Sequence, residues 1–244
     1  MKNLIKYILQ KLLGINTYLY VFAKFIIRKL ENDKKEKDFI FFLNLIPDNG
    51  IVLDIGANLG IMTVHLSKKL KNSTIFAFEP MPQNLITLNR IINHYKLNNV
   101  NVIDCALGDK SGEIEMVMPV VKSVKMQGLS HVVHDSITDF NEGIKLKVLV
   151  KKLDDYEELK QAKITAIKLD VENFEYFVLK GGENIIKSNQ PLIYCELWDN
   201  ENRQKCFDLV RSLGYKIYFL DDTKKELINI DNQKTEKQNF FFKY

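Results

Sequence analysis

The chain has 244 residues, 46% of them hydrophobic, and a formal net charge of +4. That length suits one α/β domain with additions, and the apolar share is that of a folded globular protein. The charge is too slight to argue for nucleic acid, and neither an aromatic-basic RNA motif nor zinc-finger spacing occurs. Three widely separated cysteines, Cys105, Cys195 and Cys206, exclude a disulfide frame and read as reduced, buried thiols of a cytoplasmic protein.

Residues 1–30 are apolar and basic. Leu4, Ile5, Ile8, Leu9, Leu12 and Leu13 fall on one face at helical spacing, and a second run follows from Tyr18 to Arg28. Lys24 interrupts that run, which is far short of a bilayer span, and no signal-peptide cleavage pattern is present. Two readings stay open: helices packed over the rest of the chain, or a basic amphipathic face adsorbed to a membrane surface. Residues 31–38 form a charged hinge, 39–46 read as a helix covering a sheet, and Pro47-Asp48-Asn49-Gly50 is a turn. The expected boundary lies there, with 1–48 a helical extension and 49–244 the main domain.

The run from Ile51 to Gly60 organises everything after it. Apolar residues around Asp54 read as a buried strand, Gly56-Ala57-Asn58-Leu59-Gly60 as a tight loop, and Ile61 onward as a helix start. Glycine lets backbone pass close to a ligand, and a helix N-terminus offers free N–H groups. The dinucleotide fingerprint Gly-x-Gly-x-x-Gly lacks its middle glycine here, which counts against a nicotinamide-dependent oxidoreductase. Asn58 at that place tolerates positive φ and has the chemistry to cap the helix.

A second strand over 73–79 ends at Glu79, followed by Pro80-Met81-Pro82. An acid about twenty residues past the glycine loop reaches a ribose diol, two hydroxyl donors matching two carboxylate oxygens. A helix over 83–95 leads to a third strand, 99–104, ending in the corner Asp104-Cys105-Ala106. Alternation predicts further strands at 113–118 and 144–150. Between them Pro119 to Gly143 is irregular and polar, the sort of segment that sets specificity. It holds Ser130, His131 and His134, and a histidine near neutral pKa is a candidate general base.

The fourth core strand, 164–169, ends in the acids Asp170, Glu172 and Glu175, then a helix running to Gly181-Gly182. Residues 191–197 make a fifth strand with Glu196 near its end, and Trp198 follows. A helix over 200–213 is stopped by Gly214, and 215–220 and 239–243 close the sheet. The residues by themselves describe a doubly wound α/β sheet binding an adenosine-containing ligand at its strand ends.

Four segments together resemble the FkbM-type family of class I S-adenosyl-L-methionine (SAM) methyltransferases: Gly56-Ala57-Asn58-x-Gly60; Phe78-Glu79-Pro80; Asp104-Cys105-Ala106-Leu107-Gly108-Asp109; and Lys168-x-Asp170-x-Glu172 with Glu175 and Leu179-Lys180-Gly181. The resemblance spans roughly Gly50 to Leu220. It departs at Lys152-Leu153-Asp154, where the family commonly has Thr-Leu-Asp, and at Asn173, where it usually has glycine. Asparagine holds the left-handed conformation, so that turn is expected to survive.

The resemblance implies a Rossmann-like, mostly parallel seven-stranded sheet. It implies SAM as cofactor, held by Asp54, Gly56, Ala57, Asn58, Gly60, Glu79, Pro80, Asp104, Cys105 and Ala106, with the 104–106 corner facing the adenine. It further implies methyl transfer, most often to a hydroxyl oxygen, with a sugar or small metabolite as acceptor. The fourth-strand end would lie beside the methyl, making Asp170 the first catalytic candidate, with His131 as an alternative base and Glu172 as an acceptor contact. No spacing compels a metal. The rival classes are the oxidoreductase and a membrane-adsorbed nucleotide-binding module without catalysis.

Overall fold

A computed structural model describes residues 2–121, 124–134, 141–231 and 235–244. Residues 122–123 and 135–140, within the irregular region read between Pro119 and Gly143, lie outside the described residues.

The chain opens with three helices, α1 (Lys2–Leu13), α2 (Ile15–Leu30) and α3 (Lys37–Leu45). Strands and helices then alternate as β1 (Ile51–Ile55), α4 (Ile61–Lys69), β2 (Thr74–Phe78), α5 (Pro82–Tyr95) and β3 (Val100–Ile103). A β-rich insertion follows: β4 (Ala106–Leu107), β5 (Gly112–Val121), β6 (Val124–Lys125), β7 (His131–Val132) and β8 (Gly143–Lys151). Alternation resumes with α6 (Glu157–Lys160), β9 (Ile164–Leu169), α7 (Glu175–Lys180), α8 (Glu183–Asn189), β10 (Leu192–Glu196) and α9 (Glu201–Ser212). The chain closes through β11 (Lys216–Asp221), β12 (Glu226–Asn229) and β13 (Asn239–Lys243).

The main sheet runs β12-β11-β13-β10-β9-β1-β2-β3. Strands β3, β2, β1, β9 and β10 are parallel, and β13 enters antiparallel between β10 and β11. These are the seven expected strands. An eighth, β12, folds back antiparallel on β11 from the polar connection read before the last strand. The central strands are covered on both faces, which is why they read as near-continuous apolar runs.

Register brings the strand ends together. Ile55 pairs with Phe78 and with Leu169, Phe78 with Ile103, and Leu169 with Cys195. The residues just beyond these ends therefore share one rim, the side on which open α/β sheets bind ligands. The insertion forms a second sheet in which β5 and β8 pair antiparallel from Gly112↔Val150 to Pro119↔Gly143. Its Met116, Val132, Val148 and Val150 join one apolar cluster with Phe78 and Phe174, so it packs beside that rim.

The packing reading of the early helices holds for two of the three. Tyr18, Leu19, Ala23 and Ile27 of α2 cluster with Leu59, Val64 and Ile91. Phe39 and Phe42 of α3 are fully buried against Val52, Ala166, Tyr194 and Phe241. Each such ring contributes roughly 1.5–3 kcal/mol by burial. Ile5, Ile8, Leu9, Leu12 and Leu13 of α1 instead face solvent. Among the described residues no helix is long and apolar enough to cross a membrane.

Two helices lie beyond those read from sequence, the short α6 and α8, which follows the Gly181-Gly182 stop. Asp154 caps α8, accepting from the backbone N–H groups of Asn184 at 3.1 Å and Ile185 at 3.0 Å.

Candidate active site

The loop after β1 is shaped by left-handed backbone. Gly56 has φ +78°, and a Cβ built there would lie 1.9 Å from the carbonyl oxygen of Asp170. Only glycine fits that approach. Asn58 has φ 51°, as its position in the loop predicts. It does not cap the helix: the N-cap of α4 is Gly60, φ 80°, with no side-chain capping bond. Asn58 Oδ1 is instead buried without a hydrogen-bond partner.

Glu79 clamps this loop to the next one. Its Oε2 accepts from the Asn58 backbone N–H at 2.8 Å, and Oε1 accepts from Met81 N–H at 2.8 Å and Asn84 Nδ2 at 3.2 Å. Three of the roughly four carboxylate lone-pair sites are thus engaged, which leaves room for one further donor. Burial raises its pKa to about 7 despite the bonds from Met81 and Asn58.

A cleft of two lobes opens along the rim. One encloses about 620 Å³, mouth included, and is lined by Gly56, Asn58, Glu79, Pro80, Cys105, Ala106, Asp170 and Glu172, with the insertion's Ser130 and Val132 opposite. Three buried polar atoms there, Asn58 Oδ1, Asn84 Oδ1 and Ser130 Oγ, have no protein partner. Such atoms are costly unless a ligand or water meets them. The other lobe, about 650 Å³, shares Gly56, Asn58 and Asp170, adds Ala57, and is walled by Phe22, Ile26 and Leu30 of α2. It reaches Glu36 and Lys168.

At the junction stands a buried lysine among acids. Lys168 Nζ donates to the Gly56 carbonyl at 2.9 Å and lies 3.5 Å from Asp170 Oδ2 and 3.6 Å from Asp54 Oδ1. Burial alone would lower its pKa, but Asp170, Asp54 and Glu196 outweigh that and raise it. Asp170 is a third exposed at 32%, enough to meet a ligand. Glu172 lines the cleft with φ 54°, and Asn173 follows at φ 75°, filling the expected glycine position. Burial first, then Asp170 and Glu196, raise the Glu172 pKa to about 9. Burial and Asp170 likewise raise Glu196 to about 7.

Glu175 is different: fully enclosed, it accepts from the N–H groups of Val171 and Asn173 at 3.1 Å each and from Asn202 Nδ2 at 2.8 Å. It holds the 171–174 turn rather than facing the cleft.

Several candidates sit elsewhere. Asp54 is completely buried, accepting from Thr63 Oγ1 at 2.6 Å, and reaches the cleft only through Lys168. Asp104 is exposed and outside the lining, whereas its neighbours Cys105 and Ala106 are in it. Gly60 serves helix packing, its missing Cβ leaving space for Leu88. His131, the alternative base, is not among the residues that line the cleft. It lies on β7 between Ser130 and Val132, and strand alternation turns it away from the cleft they line. Both ring nitrogens are engaged, Nδ1 with Leu129 O at 2.8 Å and Nε2 with Asn141 Oδ1 at 3.1 Å. His134 packs on Phe174 and Phe177. The three cysteines are buried and free.

Residues 54–237 match the family described as the methyltransferase FkbM domain. The chain belongs to the FkbM methyltransferase family. It is 27% identical over 150 residues to Methyltransferase 1 of Beauveria bassiana, covering 55% of this chain and 59% of that protein. It is 24% identical over 168 residues to Methyltransferase sdnD of Sordaria araneosa, covering 59% and 64% respectively. The chain thus matches less than two thirds of the length of either relative. Among solved structures, the methyltransferase FkbM of Methylobacillus flagellatus KT superposes with a TM-score of 0.56 at 16% identity, covering 100% of this chain and 59% of that one. That likeness is one of fold.

In this FkbM chain, sequence reading missed Lys168 as a hub, Glu36 in the second lobe, and Asn84, whose Oδ1 lacks a partner; Ser130 it had already placed in the specificity segment. The signal for Lys168 was its place opposite Asp54 on a buried strand, where an ammonium needs acids beside it. Glu36 carries no such local mark, since it reaches the cleft from a distant segment.

Proposed function

We propose that the chain is a SAM-dependent methyltransferase acting on a hydroxyl oxygen of a sugar or other small metabolite. The observation that carries this reading is convergence: Gly56, Glu79 and Asp170, far apart in sequence, line one cavity. The residues there fit the cofactor. Glu79 keeps a lone pair for a ribose hydroxyl, and Cys105 and Ala106 offer a flat wall for a base. Asn58 Oδ1 and Asn84 Oδ1 want donors, and Gly56 admits close approach. When bound, SAM supplies a methyl group on a sulfonium that is already a good leaving group.

The protein's own residues then align and deprotonate. The cleft holds the acceptor oxygen for in-line attack, which is chiefly an entropic contribution. Asp170, ion-paired with Lys168 yet partly exposed, takes the acceptor's hydroxyl proton. Glu172, with its pKa near 9, keeps its own proton at neutral pH and so orients the acceptor as a hydrogen-bond donor.

The test is incubation of the purified chain with methyl-labelled SAM and a cell extract, followed by identification of the labelled product. The reading expects one methyl on an oxygen, and no label from Asp170→Asn although calorimetry still shows SAM binding. Label on nitrogen or carbon, or undiminished transfer by Asp170→Asn, contradicts it.

A further inference from the structure

The first two helices present an apolar face that no other described residue covers. On α1, Ile5, Ile8, Leu12 and Leu13 are 52%, 45%, 76% and 44% exposed. On α2, whose inner side packs on the domain, Val21 and Phe25 turn outward at 52% and 62%. The arm is held rather than loose: Gln10 and the backbone of Lys125 exchange hydrogen bonds at 3.2 and 3.3 Å.

The charge carried by these two helices has one sign. Residues 1–30 contain six basic residues and no acidic one, while the whole chain balances 35 basic against 31 acidic. Two copies of such a face would set cation against cation. An anionic surface complements it, with side chains such as Lys11 and Arg28 reaching phosphates while the apolar residues enter the boundary below.

We propose that α1 and the outer side of α2 adsorb to an anionic lipid surface. Neither helix crosses it. Because Phe22 and Ile26 on the inner side of α2 wall the second lobe of the cleft, one helix thickness separates that lobe from the lipid.

The test is flotation of the full chain with phosphatidylcholine vesicles and with vesicles that also contain phosphatidylglycerol, at low and raised salt. The chain floats with the anionic vesicles, less with the neutral ones, and less again as salt screens the attraction. The double variant Leu12→Glu/Phe25→Glu touches only exposed positions and loses roughly tenfold or more of the floating fraction. Its unfolding midpoint is measured alongside. Should that variant misfold, Lys6→Glu/Lys11→Glu serves instead and abolishes the preference for anionic vesicles. Failure of the wild-type chain to float with anionic vesicles overturns the proposal, as does equal flotation of the folded variants. A dimer that the substitutions dissociate, without vesicle binding, assigns the face to a second copy and also overturns it.

Discussion

Lys168 Nζ and the carbonyl oxygen of Gly56 are 2.9 Å apart, joining the fourth core strand to the loop after the first. The same ammonium stands within 3.6 Å of both Asp54 and Asp170. One buried cation therefore fixes the glycine loop and the candidate base in a single arrangement. Removing it leaves the fully buried Asp54 without a counter-charge. Lys168→Met is expected to cost about 3–5 kcal/mol of stability, the usual range for breaking a buried pair. Denaturant unfolding checks this, and an unmoved midpoint would show that the lysine does not hold the loop.

Glu79→Gln tests the clamp. An amide presents one oxygen and one NH₂ where two backbone N–H groups, from Asn58 and Met81, now meet oxygens. One donor loses its acceptor, a penalty of about 1–3 kcal/mol. Calorimetric affinity for S-adenosylhomocysteine should fall about tenfold or more, since 1.4 kcal/mol is a factor of ten. Asp104→Asn, exposed outside the lining, should leave affinity unchanged. Equal losses in the two variants would move the ribose contact away from Glu79.

His131→Gln should lower stability while sparing catalysis. The substitution disturbs two hydrogen bonds on a buried ring, at about 1 kcal/mol each. Once an acceptor is in hand, kcat and its pH profile should match the wild-type enzyme within a factor of a few. A collapse of kcat with an unchanged melting temperature would restore the histidine as base.

These cases show where sequence reading stops. Strand ends were legible because apolar runs closing on an acid mark the rim of a parallel sheet, and Gly56 and Asn58 announced left-handed turns by residue type. The direction of the His131 side chain was not legible, because β7 is only two residues long, too short for alternation to reveal which side faces the cleft. Asp104 lies one residue from Cys105, which lines the cleft, because a strand end fixes a neighbourhood, not a side-chain direction. Lys168 stood in a recognisable motif, but its bonds to Gly56 and Asp54 exist only once the parallel register is set.

Proton linkage gives a pH signature. Burial, the largest cause for each, raises Glu79, Glu175 and Glu196 from the ordinary 4.5 to about 7, and Glu172 to about 9. A raised carboxyl pKa means the folded chain holds its proton more tightly than the unfolded one. Stability is then highest below 4.5 and declines as pH rises through the window up to about 7, and further toward about 9 for Glu172. A cationic ligand in the cleft favours the ionised forms of Glu79 and Glu172, which line it, so SAM binding should release protons and tighten as pH rises through that upper range. The neutral thioether S-adenosylhomocysteine should show a shallower rise. Calorimetry in buffers of different ionisation enthalpy reads both, and a flat profile for SAM would contradict the electrostatic account.

The central claim is that one rim gathers Gly56, Glu79 and Asp170 around a single ligand. A crystal structure of the chain with S-adenosylhomocysteine tests it most directly. The ribose hydroxyls are expected at Glu79, the adenine against Cys105 and Ala106, and the sulfur on the Asp170 side of Gly56. A ligand seated elsewhere on the molecule, or lying in the cleft with its sulfur turned away from Asp170, would contradict it.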